Sequence, residues 1–303
     1  MFLYPQELTT DNAIGGGRVA LVFEYDGREF HGWQLQKSGV RSVEAELTKA
    51  VSKVADHPVD LVCAGRTDAR VHASYQIAHF ETPSIRSLRS WVMGINTALP
   101  FDISVHWAGN GSDDFHARFS AIYRRYRYVI YNNPVRPGIQ RGQVSWVFRD
   151  LDAERMHGAA QALVGEHDFS SFRAAGCQSR TPIRFLEKIN VTRIGDFVVI
   201  DVQANAFLHH MVRNIAGALI DVGTGKQSVS WIHDILHAKD RTLAGVTAPP
   251  HGLYLVDVGY PREFPVPAAE CGPAFLRPWF SKAQNSPVYP TYIHVKQKPV
   301  LAP

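Results

Sequence analysis

The residues best placed to do chemistry lie in the stretch Gly65-Arg66-Thr67-Asp68-Ala69-Arg70, where one carboxylate has an arginine two residues away on either side. Cations at that range favour the ionised carboxylate, which makes Asp68 available as a nucleophile or a base. An ordinary ion-paired turn aspartate explains the same spacing, because structural ion pairs also perturb carboxylates. A second group alternates cations with aromatic rings: Arg124, Arg125 and Arg127 are interleaved with Tyr123, Tyr126, Tyr128 and Tyr131. Together with the arginines of residues 173–184, it suits phosphate contact and base stacking, and a solvated strand face is the alternative. His209-His210 raises the question of a metal. Adjacent histidines on a helix point in different directions, and no H-E-x-x-H motif or carboxylate at i+4 accompanies them, so no metal site is expected. Gly15-Gly16-Gly17 is not followed by a lysine-bearing helix start, and Gly-x-Ser-x-Gly is absent, which removes a P-loop and a serine-hydrolase elbow.

The elements that must position these groups can be read from periodicity. Val59, Leu61 and Cys63 alternate as a half-buried strand, residues 74–80 form a second, and Asp68 sits on the polar turn between them. Residues 1–17 read as a loose arm, residues 18–25 as a strand closed by Asp26-Gly27, and residues 30–34 as a loop where backbone can approach a ligand. Ser42 caps a helix carrying Val43, Leu47, Ala50, Val51 and Val54 inward, stopped by Pro58. Residues 84–98 form a second helix around Leu88, Trp91, Val92 and Ile95, and Ile103, Val105 and Trp107 alternate as a strand. The polar break at 109–114 marks a boundary.

Beyond it, residues 122–131 form a strand with Arg124, Tyr126, Tyr128 and Ile130 on one face and Arg125, Arg127 and Val129 on the other. Neither face is purely apolar, so at least one lines something polar. Asp152 caps a helix, residues 184–193 and 197–204 pair around a Gly195-Asp196 turn, and residues 208–222 form a long helix ended by Gly223. Arg213 falls off the apolar stripe of that helix and is free to face a cleft. A short helix at 230–238 and a strand at 253–258 follow; from Pro261 the periodicity fades. Glycine turns join strands directly, which points to an α+β fold with an antiparallel sheet. The division expected is an arm at 1–17, an N-terminal half at 18–113, a C-terminal half at 114–262 and an extension at 263–303.

The 303 residues suffice for one large domain or two ordinary ones with a sizeable core. Net charge is +4, a weak pointer to a polyanionic partner. No apolar run reaches the length of a membrane span, and residues 1–17 lack the charged and apolar regions of a signal peptide. Cys63, Cys177 and Cys271 are far apart and form no C-x-x-C pair, so disulfides are not expected and a cytoplasmic setting is.

From about residue 18 to 260 the chain resembles the TruA-type tRNA pseudouridine synthases. The motifs that carry the resemblance are Glu24-Tyr25-Asp26-Gly27, Gly65-Arg66-Thr67-Asp68, Phe115-His116-Ala117-Arg118-Phe119, Arg125-Tyr126-Arg127-Tyr128, Cys177-Gln178-Ser179-Arg180, Leu208-His209-His210-Met211-Val212-Arg213 and Gly252-Leu253-Tyr254-Leu255, in that order. The resemblance implies two pseudo-symmetric α+β halves with a joined antiparallel sheet, flanking helices and a basic cleft. It implies isomerisation of uridine to pseudouridine in the anticodon arm of tRNA, just 3′ of the anticodon, by a homodimer without metal or organic cofactor.

Residue by residue, it implies that Asp68 is the nucleophile and that Tyr126 stacks on the target base and serves in proton transfer. Arg213 would pair with Asp68, Arg66 would fill the stack when the base flips out, and Leu253 would pack on the uracil. Phe115, His116, Ala117, Arg118, Phe119, Gly176, Cys177, Gln178, Ser179 and Arg180 would be RNA-contacting loops, and Arg124 and Arg127 phosphate contacts. One departure stands out: the family pattern after the aspartate is Asp-x-Gly-Val-His, and here Arg70 replaces the glycine. Arg70 would be strained if that position needs a positive φ, and it would either obstruct RNA or add a phosphate contact. A catalytically silent tRNA-binding protein is the alternative reading.

Overall fold

The computed structural model describes residues 13–269 and 272–280. Ten strands form one sheet: β1 (Ala13–Tyr25), β2 (Val62–Cys63), β3 (His72–Ser87), β4 (Ile103–Asn110), β5 (Tyr123–Asn132), β6 (Ser145–Val147), β7 (Gly165–Asp168), β8 (Ile183–Ile194), β9 (Phe197–Ala204) and β10 (Leu253–Gly259). The order across the sheet is β4-β1-β3-β10-β5-β9-β8-β7, with β2 added on β3 and β6 on β5. Among the described residues five α-helices accompany it: α1 (Val43–Ala55), α2 (Leu88–Ala98), α3 (Ala153–Ala160), α4 (Met211–Gly223) and α5 (Trp231–Ala238). The architecture is the expected α+β one, with two junctions that depart from antiparallel. β10 runs parallel to β3 through Tyr254↔His72 and Leu255↔Ala73, and β6 runs parallel to β5. The β3–β10 junction is the seam where the strands of residues 13–110 meet those of residues 123–259.

Local chemistry sets most boundaries. Ser42 accepts from the Ala45 amide and Asp152 from the Arg155 amide, so both caps work as the sequence requires. The stripes of α1 and α2 are buried, apart from Val54 of α1, which is only partly covered. Two boundaries move together. Residues 13–17, expected in an arm, begin β1, and residues 84–87, expected in α2, end β3, because Ala13, Ile14 and Gly15 pair with Ser87, Arg86 and Ile85. Gly15 makes this possible: its φ is 118°, and a Cβ there would lie 1.9 Å from the Ser84 carbonyl oxygen. The helix expected from residue 208 starts at Met211, because His210 is left-handed at φ 61°.

The sheet has two unlike faces. Tyr126, Tyr128 and Ile130 of β5 join the main core with α1, α2, α3, α4 and α5. On the other face Val129, Val199, Tyr254 and Val256 pack with Leu276 and Phe280, so part of the expected extension closes the sheet. Arg127 belongs to this second face and corrects its expected role as a phosphate contact. It is 1 % exposed, its Nε donates to Asp201 Oδ2 at 2.9 Å, another guanidinium N–H donates to the Gly272 carbonyl, and the group lies 3.9 Å over the Phe280 ring. Arg125 grips the same carboxylate through two bonds of 2.7 Å. Burial alone would raise the Asp201 carboxyl, but the two guanidiniums outweigh it and hold it below the usual range. Arg127→Ala strands part of a buried ionic cluster, and an unfolding titration should register a loss of about 3 kcal/mol. RNA affinity of the folded variant should keep its salt dependence; a flatter slope would return Arg127 to the RNA-binding surface.

Candidate active site

A cleft of about 880 Å³ opens above the seam, on the face that carries the helices. Asp68 reaches it from the 64–71 loop, which is fixed on every side. The Ala64 amide donates to the Ile77 carbonyl, Gln76 Nε2 to the Gly65 carbonyl, and the Arg70 amide to the Phe30 carbonyl. Thr67 Oγ1 lies 2.7 Å from the Tyr25 hydroxyl, and its carbonyl accepts from the Trp33 amide. The 30–34 loop comes this near because Gly32 has φ 97° and a Cβ there would meet the Thr67 carbonyl oxygen at 2.8 Å.

The groups facing Asp68 are not the flanking arginines. Neither Arg66 nor Arg70 forms an ion pair with it; Arg213 Nη1 stands 3.4 Å from Oδ2, His210 Nε2 3.4 Å from the same oxygen, and His209 Nε2 3.5 Å from Oδ1. Arg213 is aimed by its own backbone partners: its Nε donates to the Ala248 carbonyl, and its carbonyl accepts from the Ala248 amide. The two histidines do not diverge as adjacent helical residues would. Both precede α4, and the left-handed conformation of His210 turns its ring onto the same carboxylate. Asp68, His209 and His210 bring three ligand-type atoms within 4.8 Å of one another, which is enough to hold a metal ion. Arg213 on Oδ2 opposes a second cation there.

Of the other residues singled out from sequence, Arg66, Arg118, Phe119, Arg124, Tyr126, Gly176, Cys177, Gln178, Ser179 and Leu253 line the cleft. Tyr126 is buried against Phe207, edge to face at 5.1 Å. Burial and the Asp68 charge push its phenol well up, past the opposing effect of Arg124, so it keeps its proton at neutral pH and is neither a ready acid nor available as a base. Arg124 works as a tie: its guanidinium donates to the carbonyls of Ala64, Arg118, Ala121 and Asn205. It fixes the loops around the cleft rather than standing free for a phosphate. The 176–180 loop rests on Arg173, which donates to the Cys177 and Ser179 carbonyls.

Some expected contacts lie elsewhere. Phe115 and Ala117 are in the core, and His116 is spent on accepting from the amides of Arg118 and Phe119. Only Arg118 and Phe119 of that loop face the cleft, Phe119 being 77 % exposed. Arg180 is exposed outside it. His31, Arg184, Phe207, His209 and His210 also line the cleft and were not assigned a role; the last two stand in the motif 208–213 and raised only the question of a metal.

Arg70 adopts φ 65°, the strained case, at a cost of about 1–2 kcal/mol for a non-glycine residue. Its side chain is exposed and does not line the cleft, so it does not obstruct the entrance.

The tRNA pseudouridine synthase family model matches residues 21–120 and 159–261, which takes in every cleft-lining residue except the Arg124–Tyr126 pair. The chain belongs to that family, whose members are isomerases. Among similar curated proteins, tRNA pseudouridine synthase A of Shewanella amazonensis is 57% identical over 259 residues, spanning 86% of this chain and 99% of the relative. The protein of the same name from Coxiella burnetii is 56% identical with the same coverage. That from Legionella pneumophila is 54% identical, over 98% of its length.

The loop carrying Arg118 and Phe119 has a titratable support. His79 Nδ1 accepts from the Ala117 amide at 3.1 Å, which requires a neutral ring. Burial, with help from His116 and Arg18, pushes this imidazole down to about 4. A histidine lowered in the folded state binds its proton more readily when unfolded, so its contribution is complete above pH ~6.5 and is lost as pH falls towards 4. Melting temperature should therefore decline across that window, and His79→Asn should flatten the decline. An unchanged profile in the variant would remove His79 as the support.

Proposed function

We propose that the chain converts uridine to pseudouridine in the anticodon arm of tRNA, just 3′ of the anticodon, with Asp68 as nucleophile. The observation that carries this reading is the charge pattern of the cleft. Among its described lining residues Asp68 is the only carboxylate, and Arg66, Arg118, Arg124, Arg184 and Arg213 line the same cleft. Such a surface suits a polyanion and presents one nucleophilic oxygen pair to it.

The reaction is an isomerisation. The N1–C1′ bond breaks, the freed base turns, a C5–C1′ bond forms, C5 loses its proton and N1 gains one. Atoms and electrons balance within the nucleotide, so no redox partner or group donor is required. Asp68 adds to the flipped nucleotide and is released at the end, with Arg213 pairing its carboxylate meanwhile. Tyr126 and Leu253 form apolar surface on which a flipped uracil can rest, and the phenol, kept protonated by burial, favours stacking over proton removal. Arg66, which is exposed and lines the cleft, would occupy the space the base leaves, offsetting a flipping cost of a few kcal/mol. A homodimer sharing one tRNA completes the reading, as the family resemblance implies.

The test is pseudouridine mapping on an unmodified tRNA transcript, with Asp68→Asn alongside. Wild type should place pseudouridine in the anticodon arm, and Asp68→Asn should bind tRNA but make none. Strong residual turnover in the variant would remove Asp68 as nucleophile. Turnover should also persist in a chelator; its loss would reassign Asp68, His209 and His210 to a metal ion.

A further inference from the structure

His209 and His210 line the cleft and face Asp68, yet the isomerisation gives neither of them a task. The left-handed backbone at His210 brings the two ring centroids to 4.0 Å and turns both Nε2 atoms onto one carboxylate. His210 Nε2 stands 3.4 Å from Oδ2 and His209 Nε2 3.5 Å from Oδ1, and one ligand atom from each of the three residues lies within 4.8 Å of the others. Ligand bonds of about 2.0–2.1 Å set neighbouring donors of a tetrahedral zinc site about 3.3–3.4 Å apart, so the three side chains already stand near three corners of one. The site is also open. The His209, His210 and Asp68 side chains are 44 %, 28 % and 27 % exposed, so an ion can reach them and a water can complete the fourth position.

The donors decide which cation fits. Two imidazoles and one carboxylate suit zinc, whereas magnesium and calcium take oxygen ligands. Arg213 sharpens the choice. Its Nη1 lies 3.4 Å from Oδ2, so it opposes a second positive charge and leaves Oδ1 as the oxygen for an ion. With Oδ1 on the ion and Oδ2 on Arg213, the guanidinium becomes the hydrogen-bonding neighbour that ligating carboxylates ordinarily keep. A hard cation gains too little from imidazole to overcome the opposing charge; a cation with high imidazole affinity does overcome it.

We infer that Asp68, His209 and His210 form a reversible inhibitory site for a divalent cation of the zinc class in the RNA-free protein. The inhibitory sense rests on the reading of Asp68 as nucleophile; the binding itself does not. A carboxylate held by the ion has its lone pairs engaged and cannot add to a nucleotide, so bound ion and turnover exclude each other.

The experiment titrates Zn²⁺, and Co²⁺ as a visible-absorbing stand-in, into the metal-stripped full chain. His233 and His237 on α5, with ring centroids 4.1 Å apart, offer a competing pair of imidazoles, so every protein tested carries His233→Ala and His237→Ala. This background should bind one equivalent of Zn²⁺, give the absorption of four-coordinate Co²⁺, and lose neither ion to excess Mg²⁺. Asp68→Asn, His209→Ala and His210→Asn should each weaken binding by about 10-fold or more, since losing even a supporting group of a metal site costs that much. Asparagine accepts the left-handed backbone at position 210, and melting temperatures establish that each variant is folded. Zn²⁺ should suppress pseudouridine formation on an unmodified tRNA transcript over the concentration range in which it binds, and a chelator should restore it. Affinity equal to the background in all three variants, or a saturated site with turnover unchanged or raised, would overturn the proposal. The two readings fail separately. A metal-stripped chain that makes no pseudouridine refutes the isomerase reading and leaves the cation site to be judged by the binding titration, whereas a pseudouridine-forming chain that binds no Zn²⁺ refutes the cation site alone.

Discussion

The structure turns on an ion pair between parts of the chain 145 residues apart, Asp68 on the 64–71 loop and Arg213 on α4. A carboxylate and a guanidinium that must meet at one point need both of their supports fixed, and the seam supplies the fixing. β10 joins β3 for two register pairs and β5 for most of its length, so the strands feeding the two sides are locked into one sheet. Arg124 adds a polar tie at the same place, drawing carbonyls from loops on both sides of the seam to one guanidinium. Removing backbone carbonyls from water is costly unless they are paired, so these bonds make the loop positions part of the folded state rather than an option.

The division of labour among the arginines follows from where each sits on the pleat. Arg124 and Arg127 are three apart on β5 and so face opposite sides of the sheet. One side opens to the cleft and the other is closed by Leu276 and Phe280. On the closed side a cation survives only with a carboxylate, which Asp201 provides in register opposite Arg127. The alternation predicts that one face of β5 meets something polar, and both faces do. Which polarity is RNA and which is a buried ion pair was not legible, because Asp201 lies 74 residues further on.

What was legible is what short-range physics decides. The caps at Ser42 and Asp152, the buried stripe of α2, the Gly195 turn and the off-stripe position of Arg213 all follow from neighbours within a few residues. The displaced boundaries have tertiary causes. β3 runs on to Ser87 because β1 is there to pair with it, and a glycine triplet read as loose chain is straightened by that same partner. The convergence of His209 and His210 was hidden for a related reason. A helical pattern that continues through both residues predicts divergence, and only the left-handed backbone at His210 overturns it.

The cleft's charge is the last consequence. Five arginines line it with a single carboxylate, so in the free protein their mutual repulsion is paid mainly by Asp68 and by solvent. The groups that could have neutralised it are engaged elsewhere: Asp201 lies beneath the opposite face with two arginines, and Asp26 is bound to Arg28 and His72. A site left unbalanced in this way stores free energy that an arriving polyanion releases. That release, together with the left-handed backbone held at His210, leaves the cleft short of anions in an otherwise well-paired fold.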